Sequence, residues 1–208
     1  MVKIHDLVWF QSIKDLEYDG ELPDWVNASI NQAPIGVVRR GVHVPDEVLI
    51  GIRGHQKSQR FAAKLSQSAI VKVIDSRKLI KVSIAEVNDP TLPVWQGLPE
   101  INQYLVDHQL NWGISGSAAY ELATGISMVN ANSDVDLIAV DQSRISLDDA
   151  RAILEFLNQF GFHADVQIMH EQKGFSLEEW VNNSTQSILI KTAQGPILST
   201  DPWNEIYR

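Results

Sequence analysis

An α+β protein in two parts is what the hydrophobic patterning of this chain predicts, and three observations carry that reading. Short β-branched runs crowd the first ninety residues around one helix-period stretch, whereas the remainder alternates helical and extended segments. Between them Asn88-Asp89-Pro90-Thr91-Leu92-Pro93 breaks the periodicity just as the charge balance changes sign. The expected division is therefore a small α+β domain over residues 1–90 and a second domain over 91–208.

In the first part, Ile35 to Arg40, Glu47 to Ile52, Ala69 to Ile74 and Lys81-Val82-Ser83-Ile84 read as strands and Gln59 to Leu65 as helix. The second part opens with a helix over Pro99 to His108, a strand at Trp112 to Ser115, a short helix over Ser117 to Ala123 and a strand over Val135 to Val140. Ser146-Leu147-Asp148-Asp149 has the form of an N-cap with acids in the first turn. Ala150, Ile153, Leu154, Leu157 and Phe160 then recur at helical spacing until Gly161. A strand over His163 to Met169, a capped helix over Ser176 to Val181 and a last strand over Ser187 to Thr192 complete the expectation.

The 208 residues, 44% hydrophobic, suffice for a real core. No apolar run approaches 18 residues and the N-terminus lacks a signal-peptide layout, so the expectation is a soluble, cytoplasmic protein without membrane association. The absence of cysteine excludes disulfides, thiol catalysis and cysteine-ligated zinc, leaving any metal to oxygen ligands. The net charge of −9 is uneven: residues 1–87 hold 12 Lys and Arg against 10 Asp and Glu, and residues 88–208 hold 5 against 16. From Arg39 to Lys81 the excess is +7, which fits either an anionic partner or a solvated basic face, while the acidic second half argues against nucleic acid.

Transfer chemistry at phosphorus needs backbone donors that approach a polyphosphate and carboxylates that hold divalent cations against it. Gly113-Ile114-Ser115-Gly116-Ser117 leaves a predicted strand and enters a helix, so Gly116 and Ser117 are candidate phosphate-binding residues. By itself such a turn is an ordinary connection. Some twenty residues on, Ser133-Asp134-Val135-Asp136-Leu137 places two acids at i and i+2 at the opening of an apolar strand. Both face one side, roughly 6–7 Å apart along the strand, a span that can bracket metal ions about 4 Å apart. Asp165 starts another apolar strand and completes the cluster if the two strands are neighbours. Hard oxygen ligands favour Mg2+ or Mn2+. Arg53, between Gly51 and Gly54, is the strongest phosphate-binding candidate of the basic stretch. Lys191 is either a residue reaching the site from the last strand or a strand-edge lysine. The six tryptophans read as packing residues, with Trp112 a candidate stacking surface beside the turn.

A Gly-Ser turn followed by Asp-x-Asp on a strand and a later strand acid resembles the polymerase-β-type nucleotidyltransferase superfamily. The chain is further similar, nearly end to end, to the phosphoribosyl-dephospho-CoA transferases, the malonate decarboxylase holo-acyl-carrier-protein synthases. Matching stretches include His5-Asp6-Leu7, Val37-Val38-Arg39-Arg40, Gly51-Ile52-Arg53-Gly54, Gly116-Ser117, Glu121-Leu122-Ala123-Thr124-Gly125, Ser133-Asp134-Val135-Asp136-Leu137, Asp165-Val166-Gln167 and Asp201-Pro202-Trp203. The resemblance implies a polymerase-β-type domain preceded by the small α+β domain, and transfer of a prosthetic group from triphosphoribosyl-dephospho-CoA to a serine of the malonate decarboxylase acyl carrier protein, with release of pyrophosphate. It also implies magnesium at Asp134 and Asp136, Asp165 as ligand or base, and the triphosphate on Gly116 and Ser117. Ser115 departs from the second glycine expected there. The alternatives are a nucleotidyltransferase acting on a small molecule or RNA, and a non-catalytic binding module on the same fold.

Overall fold

The computed structural model describes residues 2–42, 44–79, 87–183 and 185–208, and the strand expected over Lys81 to Ile84 lies outside them. The chain forms two compact units, Met1–Asp75 and Ser76–Arg208.

The first unit contains β1 (Leu7–Trp9), β2 (Leu16–Glu17), α1 (Asp24–Gln32), β3 (Ile35–Val38), β4 (Glu47–Arg53), β5 (Arg60–Ser66) and β6 (Lys72–Ile74). Its strands make one antiparallel sheet in the order β2-β5-β4-β3-β1-β6. One face carries the core, with Val8, Ile50 and Leu65 fully buried and joined by Val26 and Ile30 of α1. The helix expected over Gln59 to Leu65 is instead β5. Residues 62–65 are good helix formers, but Ala63 and Leu65 alternate with exposed neighbours, and β5 pairs with β4 in seven consecutive register pairs. Tertiary pairing overrides local propensity here.

The second unit starts with α2 (Ser76–Leu79), then α3 (Pro93–Asp107), β7 (Trp112–Ile114), α4 (Gly116–Thr124), β8 (Val135–Val140) and α5 (Leu147–Leu157). It continues with β9 (Ala164–His170), β10 (Lys173–Ser176), α6 (Leu177–Asn182), β11 (Ile188–Ile190), β12 (Ile197–Ser199) and α7 (Pro202–Ile206). The units divide ahead of the Asn88 to Pro93 segment because α2 packs on β7 and so belongs with the second. α3 begins at Pro93 rather than Pro99; proline suits a first turn, and Pro99 is carried inside the helix.

The main sheet runs β10-β9-β8-β7, with β8 parallel to β9 and the other neighbours antiparallel. A parallel pair needs a crossover, and α5 supplies it. Ser146 caps α5 by accepting the Asp149 N–H at 3.0 Å, and Ala150, Ile153 and Leu157 are buried along one face. Leu137, Val166 and Ile168 face the same apolar space as Leu105 of α3, Leu157 of α5 and Leu177 of α6. At the C-terminal end, β11 and β12 form a hairpin, and the rings of Phe175, Trp180 and Trp203 meet edge to face. No helix among the described residues is long and apolar enough to cross a membrane.

Gly113 of β7 is where α2 docks. A Cβ there would stand 2.9 Å from the Arg77 backbone N and 3.0 Å from its Cα, neither of which can move without shifting the helix. Gly113→Ala is expected to lower unfolding stability by about 1–3 kcal/mol as an overpacking change. Urea unfolding monitored by tryptophan fluorescence measures it, and an unchanged midpoint would mean that α2 does not rest on β7.

Candidate active site

The register of β8 and β9 brings the predicted acids together. Asp136 and Asp165 are direct partners across the parallel pair, and partnered residues project from the same face of a sheet. Asp136 is half-buried and Asp165 exposed, while Asp134, also half-buried, immediately precedes β8. These acids stand at the start of both strands, on the sheet face opposite the α3, α5 and α6 packing.

The Gly-Ser turn is fastened to the same strand. The Ser115 N–H donates to the Asp136 carbonyl at 2.8 Å, so β7 delivers the chain directly alongside Asp136. Gly116 then adopts φ +64°, and a Cβ on it would collide with Asp136 Oδ2 and sit 2.7 Å from its Cγ. Glycine is required there twice, for the left-handed backbone and for the space that the carboxylate fills. Ser115, by contrast, is extended at φ −129°, a conformation open to any residue, so a second glycine is not needed for this backbone. Gly116 opens α4, whose first N–H groups have no acceptor within the helix and lie beside the acid cluster; Ser117 is buried in that first turn.

Between α4 and β8 runs a loop whose backbone is secured by side chains. Glu121, only 2% exposed, accepts the N–H groups of Met128 and Val129 on Oε2, each at 2.8 Å. Thr124 accepts from Ile126, Gly125 ends the helix at φ +71°, and Ser133 Oγ accepts from Asn130 immediately before Asp134. Glu121 thus ties the helix that begins at the turn to the segment that feeds the acids. Sequence reasoning passed over Glu121 as a site residue; the signal was an acid on a helix face otherwise made of Ser117, Ala118 and Tyr120, all buried.

Gln167, buried at 8%, shares the face of Asp165 two residues further along β9, another position not singled out from sequence. The other candidates lie elsewhere. Lys191 is bridged to Gly174, which pairs with Met169. That is four residues along β9 from Asp165, about 13 Å at the strand rise, and Lys191 belongs to that other end of the sheet. Trp112 is 7% exposed and lines the apolar space on the opposite face from Asp136, so it packs rather than offering a stacking surface. Arg53 ends β4 in the first unit, directly across from Arg60. In that unit burial lowers the Arg40 guanidinium to about 10, which leaves it charged at neutral pH.

Among the described residues no three His, Asp or Glu side chains gather closely enough to hold a metal ion. The site thus consists of the turn, Asp134 just ahead of β8, Asp136 on β8 and Asp165 on the neighbouring strand.

Two family descriptions cover the chain. The phosphoribosyl-dephospho-CoA transferase MdcG N-terminal domain matches residues 3–76, and the C-terminal domain of the same family matches residues 79–202. The chain belongs to the phosphoribosyl-dephospho-CoA transferase family. The first match ends one residue past the division between the compact units at Asp75 and Ser76. Proteins named phosphoribosyl-dephospho-CoA transferase resemble it throughout. One from Pseudomonas fluorescens strain Pf-5 is 31% identical over 96% of this chain and 93% of its own. One from Pseudomonas aeruginosa is 32% identical over 87% and 85%, and one from Azotobacter vinelandii is 30% identical over 97% and 94%. No solved structure matches the chain. The protein is accordingly a transferase enzyme.

Removing the Glu121 carboxylate would leave one buried and one partly buried N–H group without their acceptor, a buried one costing on the order of 1–3 kcal/mol. Glu121→Ala is expected to destabilise the protein by about 2–4 kcal/mol, and Glu121→Gln, which keeps one acceptor oxygen, by less. Thermal and urea melts of both variants check this order, which would be wrong if Gln were as damaging as Ala.

Proposed function

We propose that the chain transfers the phosphoribosyl-dephospho-CoA group from triphosphoribosyl-dephospho-CoA to a serine of the malonate decarboxylase acyl carrier protein, releasing pyrophosphate, on a polymerase-β-type nucleotidyltransferase domain. The observation that carries this reading is the direct pairing of Asp136 with Asp165 beneath the Gly116 turn. It is the arrangement that polyphosphate transfer requires, in a member of the transferase family just described. The mixed four-stranded sheet with its acids at one end supports the fold assignment.

Asp134 and Asp136 would hold Mg2+ or Mn2+. Two carboxylates at i and i+2 suit a small hard cation that takes its other ligands from phosphate oxygens and water. Such an ion would supply neutralisation of the charge that builds on the leaving pyrophosphate. The chain's own groups do the rest. The N–H groups of the first turn of α4 and the Ser117 hydroxyl hold the phosphate oxygens. Asp165, exposed beside Asp136, takes the proton of the acceptor hydroxyl. The serine oxygen then bonds to the phosphorus nearest the ribose as the bond from that phosphorus to the bridging oxygen breaks, and pyrophosphate leaves with the electron pair. Arg53 and the basic stretch of the first unit would bind an anionic part of the donor or carrier. The reaction partners are soluble, which fits a cytoplasmic enzyme, and no nucleic acid takes part.

Asp136→Asn is expected to abolish transfer, by at least about 100-fold, while leaving the fold intact, because a half-buried acid at a strand start adds little to packing. Intact mass of the apo carrier protein, incubated with the enzyme, donor and Mg2+, should rise by the donor minus pyrophosphate for the wild type and not for the variant. No adduct with the wild type, with verified donor and carrier, would discard the assigned donor and acceptor.

A further inference from the structure

The site described above has acids, backbone donors and a hydroxyl, but no assigned cationic side chain within its own unit. From residue 88 onward only five basic residues occur. Four of them pair with acids that are not those of the site: Arg144 with Asp201 at 3.4 Å, Arg151 with Asp148 at 3.1 Å, Lys173 with Glu205 at 3.3 Å and Arg208 with Glu205 at 3.6 Å. The fifth, Lys191, stands at the other end of the sheet.

The first residues of the unit supply what is missing. Gly113 is the direct partner of Ile138, so the direction in which a Gly113 side chain would project is the face of Ile138 and of Asp136, two residues before it. In that direction stands Arg77. Its N, Cα and Cγ lie 2.9, 3.0 and 3.0 Å from where a Gly113 Cβ would be. α2 therefore lies on the acid face of the sheet, in contact with β7 and packed beside α4, the helix that begins at Gly116. Gly113 and Asp136 are diagonal neighbours across β7 and β8, about 7–8 Å apart, a separation that long side chains cross. Beyond its Cγ, half-buried Arg77 still has Cδ, Nε and the whole guanidinium to span it.

We propose that Arg77 binds the polyphosphate of the donor, gripping the pyrophosphate that becomes the leaving group. This rests on the polyphosphate-transfer reading of the Asp134 and Asp136 site. The chemistry favours arginine: its planar fork matches two phosphate oxygens at once, and its charge persists beside carboxylates. Its mounting matters as much. A four-residue helix pressed backbone-first against a glycine fixes the Arg77 stem, so little side-chain freedom is lost on binding. Sequence reading counted Arg77 only within the +7 excess, because nothing in its neighbours marks it; the packing on Gly113 does.

The test is titration calorimetry of the full-length protein with inorganic pyrophosphate at saturating Mg2+. Arg77→Gln keeps N, Cα and Cγ, and so the contact with Gly113. It should melt as the wild type does and bind pyrophosphate at least about tenfold more weakly, the loss expected for a charge-assisted contact. Arg77→Lys should fall between, and Lys191→Gln should bind as the wild type. Equal affinity for Arg77→Gln and wild type overturns the proposal while leaving the acid site standing. A lowered melting temperature with the same loss in Arg77→Lys as in Arg77→Gln assigns Arg77 to packing and overturns it too. If the wild type itself binds no pyrophosphate, the polyphosphate reading falls, and the role of Arg77 falls with it.

Discussion

The parallel pairing of β8 with β9 is the constraint on which the site depends. Register in a parallel pair is discrete, and a slip of one residue would send Asp165 to the apolar face and Ala164 or Val166 to the acid face. The burial of Ala164, and of Val166 and Ile168 against α5 and α6, forbids that slip, since it would expose three core positions and bury a carboxylate. Hydrophobic packing on one face thus fixes the polar geometry of the other. The same logic reaches the turn, because Ser115 hydrogen-bonds to the Asp136 carbonyl and Gly116 leaves room only for the Asp136 carboxylate.

A cluster of acids repels itself, and the segments that carry it are anchored by bonds of their own. Glu121 is the clearest device. A carboxylate almost completely removed from water is unfavourable, yet here one oxygen accepts two backbone N–H groups of the loop that leads to Asp134. The turn of residues 130–133 then closes on itself through Ser133 and Asn130 just before the acids begin. The loop is held at both ends.

Much of this was legible because the second unit obeys simple periodicities. Val135 to Val140 forms the apolar strand with the bounds expected, Ser146 and Ser176 cap the helices they precede, and Gly125 and Gly161 stop helices in left-handed conformations. The adjacency of Asp136 and Asp165, conditional in the sequence on the two strands being neighbours, is set by the parallel pairing of β8 with β9 across α5. Less visible was whatever depends on contact between distant segments. The β5 strand carries a helix former's composition and is a strand only because β4 lies beside it. Lys191, open in the sequence between reaching the site and sitting at a strand edge, is bridged to Gly174, toward the other end of the sheet. The boundary expected at the prolines falls instead before α2, whose attachment to β7 has no local sequence signature.

That attachment also bears on charge. The stretch from residue 88 onward carries 16 acidic against 5 basic residues, an adverse field for any polyanionic ligand. Cations bound at the acids would answer part of that, but they would neutralise only the oxygens they touch. A guanidinium held by its own backbone on the acid face answers the rest, and it does so from outside the acidic stretch, at residue 77. The abrupt change of charge along the sequence is then not a division of labour between two halves. The last cationic segment before the acidic stretch is built into the acidic unit, on the face where the anion would have to lie.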